Sequence, residues 1–187
     1  MVKRNVYRRT HQAFNIPGEA HYLTFSCYKK RAFLSRDRTR QYFLDALDRA
    51  RAAHGFNLWA YVIMPNHAHV LLFPRREVHD MGSIESSIKL SVSRRALEFL
   101  REHNPDGLSL LATGHVHTPY RFWMSGNGYD KNLVSQDAAR NIVAYIHANP
   151  VRAGICDGPE DWPWSSAREW AEEGSGLLSI DRESFPE

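Results

Sequence analysis

Three groups of residues in this sequence of 187 residues have types and spacings that could do chemistry. The first is His67-Ala68-His69. In an extended chain, side chains two residues apart project from one face, so both rings would stand together, ~7 Å apart along the backbone. Two imidazoles placed this way can converge on one metal ion; the plainer alternative is a pair of polar, half-buried histidines at the rim of a core. The second group, His115-Val116-His117, repeats the spacing. It lies between Thr113-Gly114 and Thr118-Pro119, where no strand is secure. The third is Tyr145 with Asn149. Spaced i and i+4 on a helix, they would share a face with Cβ atoms ~5–6 Å apart. A phenol is a nucleophile only once its proton is taken, because free tyrosine has a pKa of ~10. Without a partner, Tyr145 reads as an amphipathic anchor and Asn149 as the last helical residue before Pro150.

The elements that must position these groups follow from periodicity. Residues 20–27 (AHYLTFSC) read as a strand with Leu23 and Phe25 on one face. Ser35 can cap a helix over about 36–54, with Phe43, Leu47 and Ala50 as its stripe and Gly55 as its stop. Residues 56–64 (FNLWAYVIM) form a second strand, broken by Pro65-Asn66, and 67–73 (HAHVLLF) a third. So short a link makes the two an antiparallel hairpin. A second helix covers about 82–102, with Ile84, Ile88, Val92 and Phe99 on one side. Residues 103–128 read as irregular, with a short strand at Tyr120–Met124. Ser135 then caps a third helix that should end near Asn149, because Pro150 follows. Strand–helix–strand–strand–helix opens a ferredoxin-like α+β layer: an antiparallel sheet with helices on one face.

Charge divides the chain. Residues 1–40 hold ten Lys/Arg against Glu19 and Asp37, a balance of +8. Residues 155–187 hold nine acids against Arg168 and Arg182, a balance of −7. The expected organisation is a basic arm over 1–18, a folded domain over 19–154 and an acidic tail over 155–187 packed on it by the Trp162-Pro163-Trp164 turn. A basic front end suits a polyanion such as nucleic acid, although a plain solvated surface reads the same way. The acidic tail could cover a basic groove. Apolar runs fall far short of the ~20 residues of a membrane helix, and no secretory signal is visible, so the cytoplasm is the default location. Cys27 and Cys156 alone make neither a disulfide framework nor a four-thiolate zinc site. No G-x-x-x-x-G-K-[ST] loop is present, so no nucleotide cofactor is expected.

The longer segments carry a resemblance. YVIMPNHAHVLLF resembles the histidine–hydrophobe–histidine (HUH) strand of single-tyrosine transposases. AYIHANPVRAGI resembles their tyrosine helix in the form typical of the REP-associated branch (REP for repetitive extragenic palindrome). THQAFNIPGEAHYLTFSCYKKRAFL, ESSIKLSVSRRAL, FWMSGNGYDKNLVS and WPWSSAREW are similar to other segments of that family, so the likeness spans about residues 12–170. It implies that Tyr145 is the nucleophile and that His67, His69 and Asn149 hold a divalent ion, Mg²⁺ or Mn²⁺. It gives no role to His115 and His117. It implies strand cleavage and joining at palindromic single-stranded or hairpin DNA, through a 5′-phosphotyrosine and a free 3′-OH. A monomer is favoured over a homodimer, and a hairpin-binding protein without turnover is the alternative. Lys89, Arg94 and Arg95 are candidates for phosphate contacts, and Trp59, Tyr61 and Trp123 for stacking on unpaired bases.

Overall fold

The computed structural model describes residues 15–125 and 129–186. Of the arm expected over 1–18, residues 1–14 lie outside the described residues.

Four strands form one antiparallel sheet: β1 (Ala20–Ser26), β2 (Phe56–Ile63), β3 (His67–Pro74) and β4 (Tyr129–Leu133), in the order β2-β3-β1-β4. α1 (Asp37–His54) connects β1 to β2, and α2 (Met81–His103) lies between β3 and β4. This is the split βαβ arrangement of the ferredoxin-like class. α1 begins one residue later than the sequence suggested. Arg36, not Ser35, precedes it, and its carbonyl accepts from Thr39 and Arg40 without a side-chain cap. Gly55 ends the helix at φ 70°, a left-handed conformation that glycine adopts without penalty. Asp80 caps α2 by accepting from the Gly82 amide at 3.0 Å.

The alternation of the strands sorts side chains onto two faces. Leu23 and Phe25 of β1, Ala68, Val70 and Leu72 of β3, and Leu58, Tyr61 and Ile63 of β2 meet α1 and α2. The helices answer with Phe43, Leu44 and Leu47, and with Ile84, Ile88 and Val92. On the opposite face, Tyr22, Trp59, Ala60, Val62 and Leu71 are covered by Ala139, Val143 and Ile146 of α3 (Gln136–Arg152). Thus α1 and α2 share one face, and α3, which follows the ferredoxin-like unit, takes the other.

α3 departs from the sequence expectation at its end. Ser135 caps it, accepting from Ala138 at 3.2 Å, but the helix runs through Pro150 to Arg152. Proline removes only the one amide that would have bonded to Ile146, and the closing turn compensates. Ile155 donates to the Pro150 carbonyl and Gly154 to that of Val151, with Gly154 at φ 66°. These are the two bonds of a Schellman motif, so the glycine and not the proline sets the end.

Residues beyond 160 lie along the free edge of β2. Ile63 donates to Trp164, Ser166 to Tyr61 and Asp181 to Leu58. The Asp181 carboxylate accepts from the Leu58 amide at 2.7 Å and pairs with Arg51 at 2.6 Å. Trp162, Trp170 and Trp59 each donate an indole N–H into this seam. The seam satisfies backbone groups that an open edge strand would expose. Among the described residues, no helix is long and apolar enough to cross a membrane.

Candidate functional site

The register of β1 against β3 builds one end of the α3 face. His67 pairs with Ser26 and His69 with Thr24. Their rings lie 4.8 Å apart between centroids, at 76°. Nδ1 of His69 sits 2.8 Å from the Tyr22 hydroxyl and 3.0 Å from Thr24 Oγ1. The Tyr22 ring stacks on the same imidazole at 5.4 Å. Nδ1 of His67 lies 2.6 Å from Asn66 Oδ1, an oxygen that can only accept. The proton therefore sits on Nδ1 of His67, and its Nε2 keeps a lone pair. Asn66 is held in turn by donating its amide to the Lys30 carbonyl at 3.4 Å. Lys29 and Lys30 both adopt φ 54°, a left-handed conformation that costs a non-glycine residue on the order of 1 kcal/mol.

Burial keeps both imidazoles neutral. It pushes His69 down to about 3, with a contribution from His67. Burial also lowers His67, and the Lys30 charge adds to that. Neutral imidazole is the form that ligates metals.

α3 brings the phenol to this pair. Val143 and Ile146 are buried and fix the helix, while Tyr145 turns aside and is 38% exposed. Its ring lies 5.7 Å from that of His69 and 6.2 Å from that of Tyr22. Asn149, half-buried, follows one turn later and donates Nδ2 to the Tyr145 carbonyl at 2.7 Å. Its Oδ1 remains an acceptor. Arg152 sets its guanidinium Cζ 5.3 Å from the Tyr145 ring centroid. The structure thus brings His67, His69 and Tyr145 together and puts Asn149 on the tyrosine's helix face.

Among the described residues, no group of three His, Cys, Asp or Glu forms a metal cage. The donors here are two neutral imidazoles and an amide oxygen. That set fits a divalent ion which takes its remaining ligands from water or phosphate. The arrangement can hold such an ion beside a phosphate ester and present a phenol to it.

The other candidates fall elsewhere. His115 and His117 are exposed in the loop between Thr113 and Thr118. His147 points away from Tyr145, its Nε2 2.9 Å from Ser166 Oγ, and burial lowers it to about 4. Trp59 and Tyr61 are buried in the two cores, so neither offers a face to a base. Lys89 pairs with Glu85 at 2.6 Å and Arg95 with Asp45 at 2.6 Å. Arg94 is exposed and, among the described residues, has no ion-pair partner. It borders a groove of about 450 Å³ beside α2, which Lys89, Arg101 and Arg121 also line, with Trp123 in its wall. Among the described residues, no acid and no residue of the tail lines this groove.

Four residues escaped sequence reasoning. Asn66 carries a local signal, its adjacency to His67. Tyr22 and Thr24 meet His69 only through strand register. Arg152 joins the site only because α3 continues past Pro150.

No family model matches the chain. A protein of Haemophilus influenzae named as a REP-associated tyrosine transposase is 27% identical over 138 residues, covering 70% of this chain and 74% of its own. A REP-associated tyrosine transposase solved bound to a REP hairpin superposes with a TM-score of 0.68 at 19% identity, over 88% of this chain and 87% of that one. A transposase of Deinococcus radiodurans is less similar, with a TM-score of 0.45 at 18% identity over 73% of this chain and 95% of that one.

Proposed function

We propose that the chain is a REP-associated tyrosine transposase, as its 27% identity over 138 residues to the Haemophilus influenzae protein supports, and that it cleaves and joins DNA strands at palindromic hairpins. The observation that carries the reading is the convergence, within one chain, of the Tyr145 phenol on the His67–His69 pair. Tyr145 is the nucleophile. Its oxygen bonds to the scissile phosphorus while the P–O3′ bond breaks. The phenol proton passes to water, and the departing 3′ oxygen takes a proton to become a free 3′-OH. The product is a 5′-phosphotyrosine that conserves the energy of the phosphodiester. A 3′-OH reverses the step and joins strands with no nucleotide cofactor.

His67, His69 and the Asn149 amide oxygen would hold Mg²⁺ or Mn²⁺, which when bound draws charge from the scissile phosphate as a Lewis acid. Asn66 keeps the Nε2 of His67 free for that ligation. Tyr22 and Thr24 do the same for His69 in the tautomer with its proton on Nδ1. The hydrogen bond from Asn149 Nδ2 to the Tyr145 carbonyl leaves Oδ1 as the atom that would ligate. Because nucleophile and imidazoles meet in cis, a monomer suffices.

For DNA recognition, Arg94, Arg101 and Arg121 offer positive charge along the groove beside α2, where Lys89 is paired with Glu85. Arg95, turned to Asp45, would have to leave that ion pair to reach a phosphate. A chromosomal substrate places the protein in the cytoplasm.

The test is a labelled hairpin oligonucleotide from palindromes flanking the gene, incubated with Mg²⁺, Mn²⁺ or chelator. A denaturant-resistant protein–DNA adduct that needs the metal supports the reading. Retarded mobility with no adduct replaces it with a hairpin-binding protein.

A further inference from the structure

The geometry points to Arg152 as the side chain that grips the scissile phosphoryl group during attack and keeps hold of it in the phosphotyrosine; the role rests on the strand-transfer reading above.

Three observations converge. Tyr145, Asn149 and Arg152, at i, i+4 and i+7, lie along one face of α3. The Arg152 guanidinium stands 5.3 Å from the Tyr145 ring centroid, on an exposed side chain with no ion-pair partner among the described residues. And it stands there only because the helix runs through Pro150. Had α3 stopped at Asn149, Arg152 would have left that face. The Schellman closure at Gly154 keeps one more turn, with Arg152 as its last helical residue.

The electrostatics give that turn a purpose. A phosphate held between Tyr145 and the His67–His69 pair lies beside the last two turns of α3, whose C-terminal end carries about half a negative charge. The divalent ion proposed at His67 and His69 would offset charge from the sheet side, and Arg152 offsets it from the helix side. Its planar fork can donate two parallel N–H bonds to non-bridging phosphate oxygens, and its charge is permanent.

In the step it assists, Tyr145 Oη bonds to phosphorus, the P–O3′ bond breaks, and the 3′ oxygen departs as a hydroxyl. Substrate and product are both phosphodiesters with one negative charge. A guanidinium that holds the phosphoryl group therefore shifts neither relative to the other, and it speeds both directions through the extra negative charge that the phosphoryl oxygens carry in the transition state.

The test compares the full-length wild type with R152Q and R152K on the hairpin oligonucleotide. Single-turnover adduct formation, rejoining by an added 3′-OH strand, hairpin affinity by anisotropy and Tm are measured. R152Q should slow adduct formation about 100- to 1,000-fold, the range for loss of one such donor. It should slow rejoining by the same factor, leaving adduct yield at equilibrium and hairpin affinity unchanged. R152K should recover part of both rates. Wild-type rates in R152Q overturn the role. So does a rate loss matched by an equal loss of hairpin affinity or by a collapse in Tm, which would mark Arg152 as a helix-end support. Absence of any adduct from the wild type overturns the strand-transfer reading itself, and the role of Arg152 with it.

Discussion

The two faces of the sheet are built from the same strands and have opposite character. β3 shows it within eight residues. Ala68, Val70 and Leu72 are fully buried against α1 and α2, among large apolar side chains such as Phe25 and Phe43. One position out of phase, His67 and His69 face the other way, where α3 covers only the apolar stretch from Leu71 onward. Two helices seal one face. One helix, with Trp170 and Phe185 of the tail beside it, covers the other and leaves one end open. Stability is concentrated where coverage is complete. Chemistry is possible where it stops, because partial burial neutralises the imidazoles without sealing them from a ligand.

That division can be broken by experiment. The largest effect should come from Tyr145→Phe. It removes one oxygen from a partly exposed ring, so adduct formation should fall at least about 10,000-fold while Tm moves little. A large fall in Tm would mean that the open end also carries the fold. The converse substitution is Phe43→Ala, in the sealed core beside Phe25 and Trp123. It should destabilise by about 3–5 kcal/mol in denaturant titration, and adduct formation per folded molecule should stay near wild type in the cold.

Acid should act on the α3 face first. His69, at about 3, and His147, at about 4, are lowered in the fold. The unfolded chain therefore binds more protons below the ordinary histidine value of 6.5. Their contribution is complete above that pH and is lost as pH falls towards 4 and 3, at about 1.4 kcal/mol per pH unit for each. His147→Gln should flatten the slope between pH 6.5 and 4, as read by urea midpoints across pH. An unchanged slope would contradict the assignment.

The smallest effect expected is that of Asn66→Ala, which frees the Nδ1 of His67. Mn²⁺ affinity, read by isothermal titration in the presence of hairpin DNA, should drop about 10- to 100-fold with Tm nearly constant. Unaltered affinity would show that the Asn66 contact does not orient the ligand.

Local pattern reached much of this molecule. The β2–β3 hairpin, α1 and α2 announce themselves through periodicity and turn residues, so their bounds in the sequence and in the fold agree closely. β4 did not, because YDKNL is short and polar. Its Asp130 points inward to a fully buried His21 at 2.9 Å, a long-range pairing that no window of sequence contains. The bridges at Tyr120 and Trp123 are isolated ones, where the sequence suggested a continuous strand. The end of α3 misled because Pro150 is a strong local signal, whereas the Schellman closure depends on Gly154 four residues later. The site divides in the same way. His67, His69 and Tyr145 stand out by type, spacing and resemblance. Tyr22 and Thr24 became neighbours of His69 only through the register of β1 on β3.

The measurement that bears hardest on this account is peptide mapping of the covalent adduct. Wild-type protein is incubated with hairpin DNA and divalent metal, digested with nuclease and trypsin, and analysed by mass spectrometry. Cleavage after Arg140 and Arg152 releases NIVAYIHANPVR, a peptide with a single tyrosine. A nucleotide phosphate attached to Tyr145 in this peptide is the expected result. The modification on any other peptide, or an unmodified peptide from a sample that has cleaved its DNA, would contradict the assignment of Tyr145 as the nucleophile.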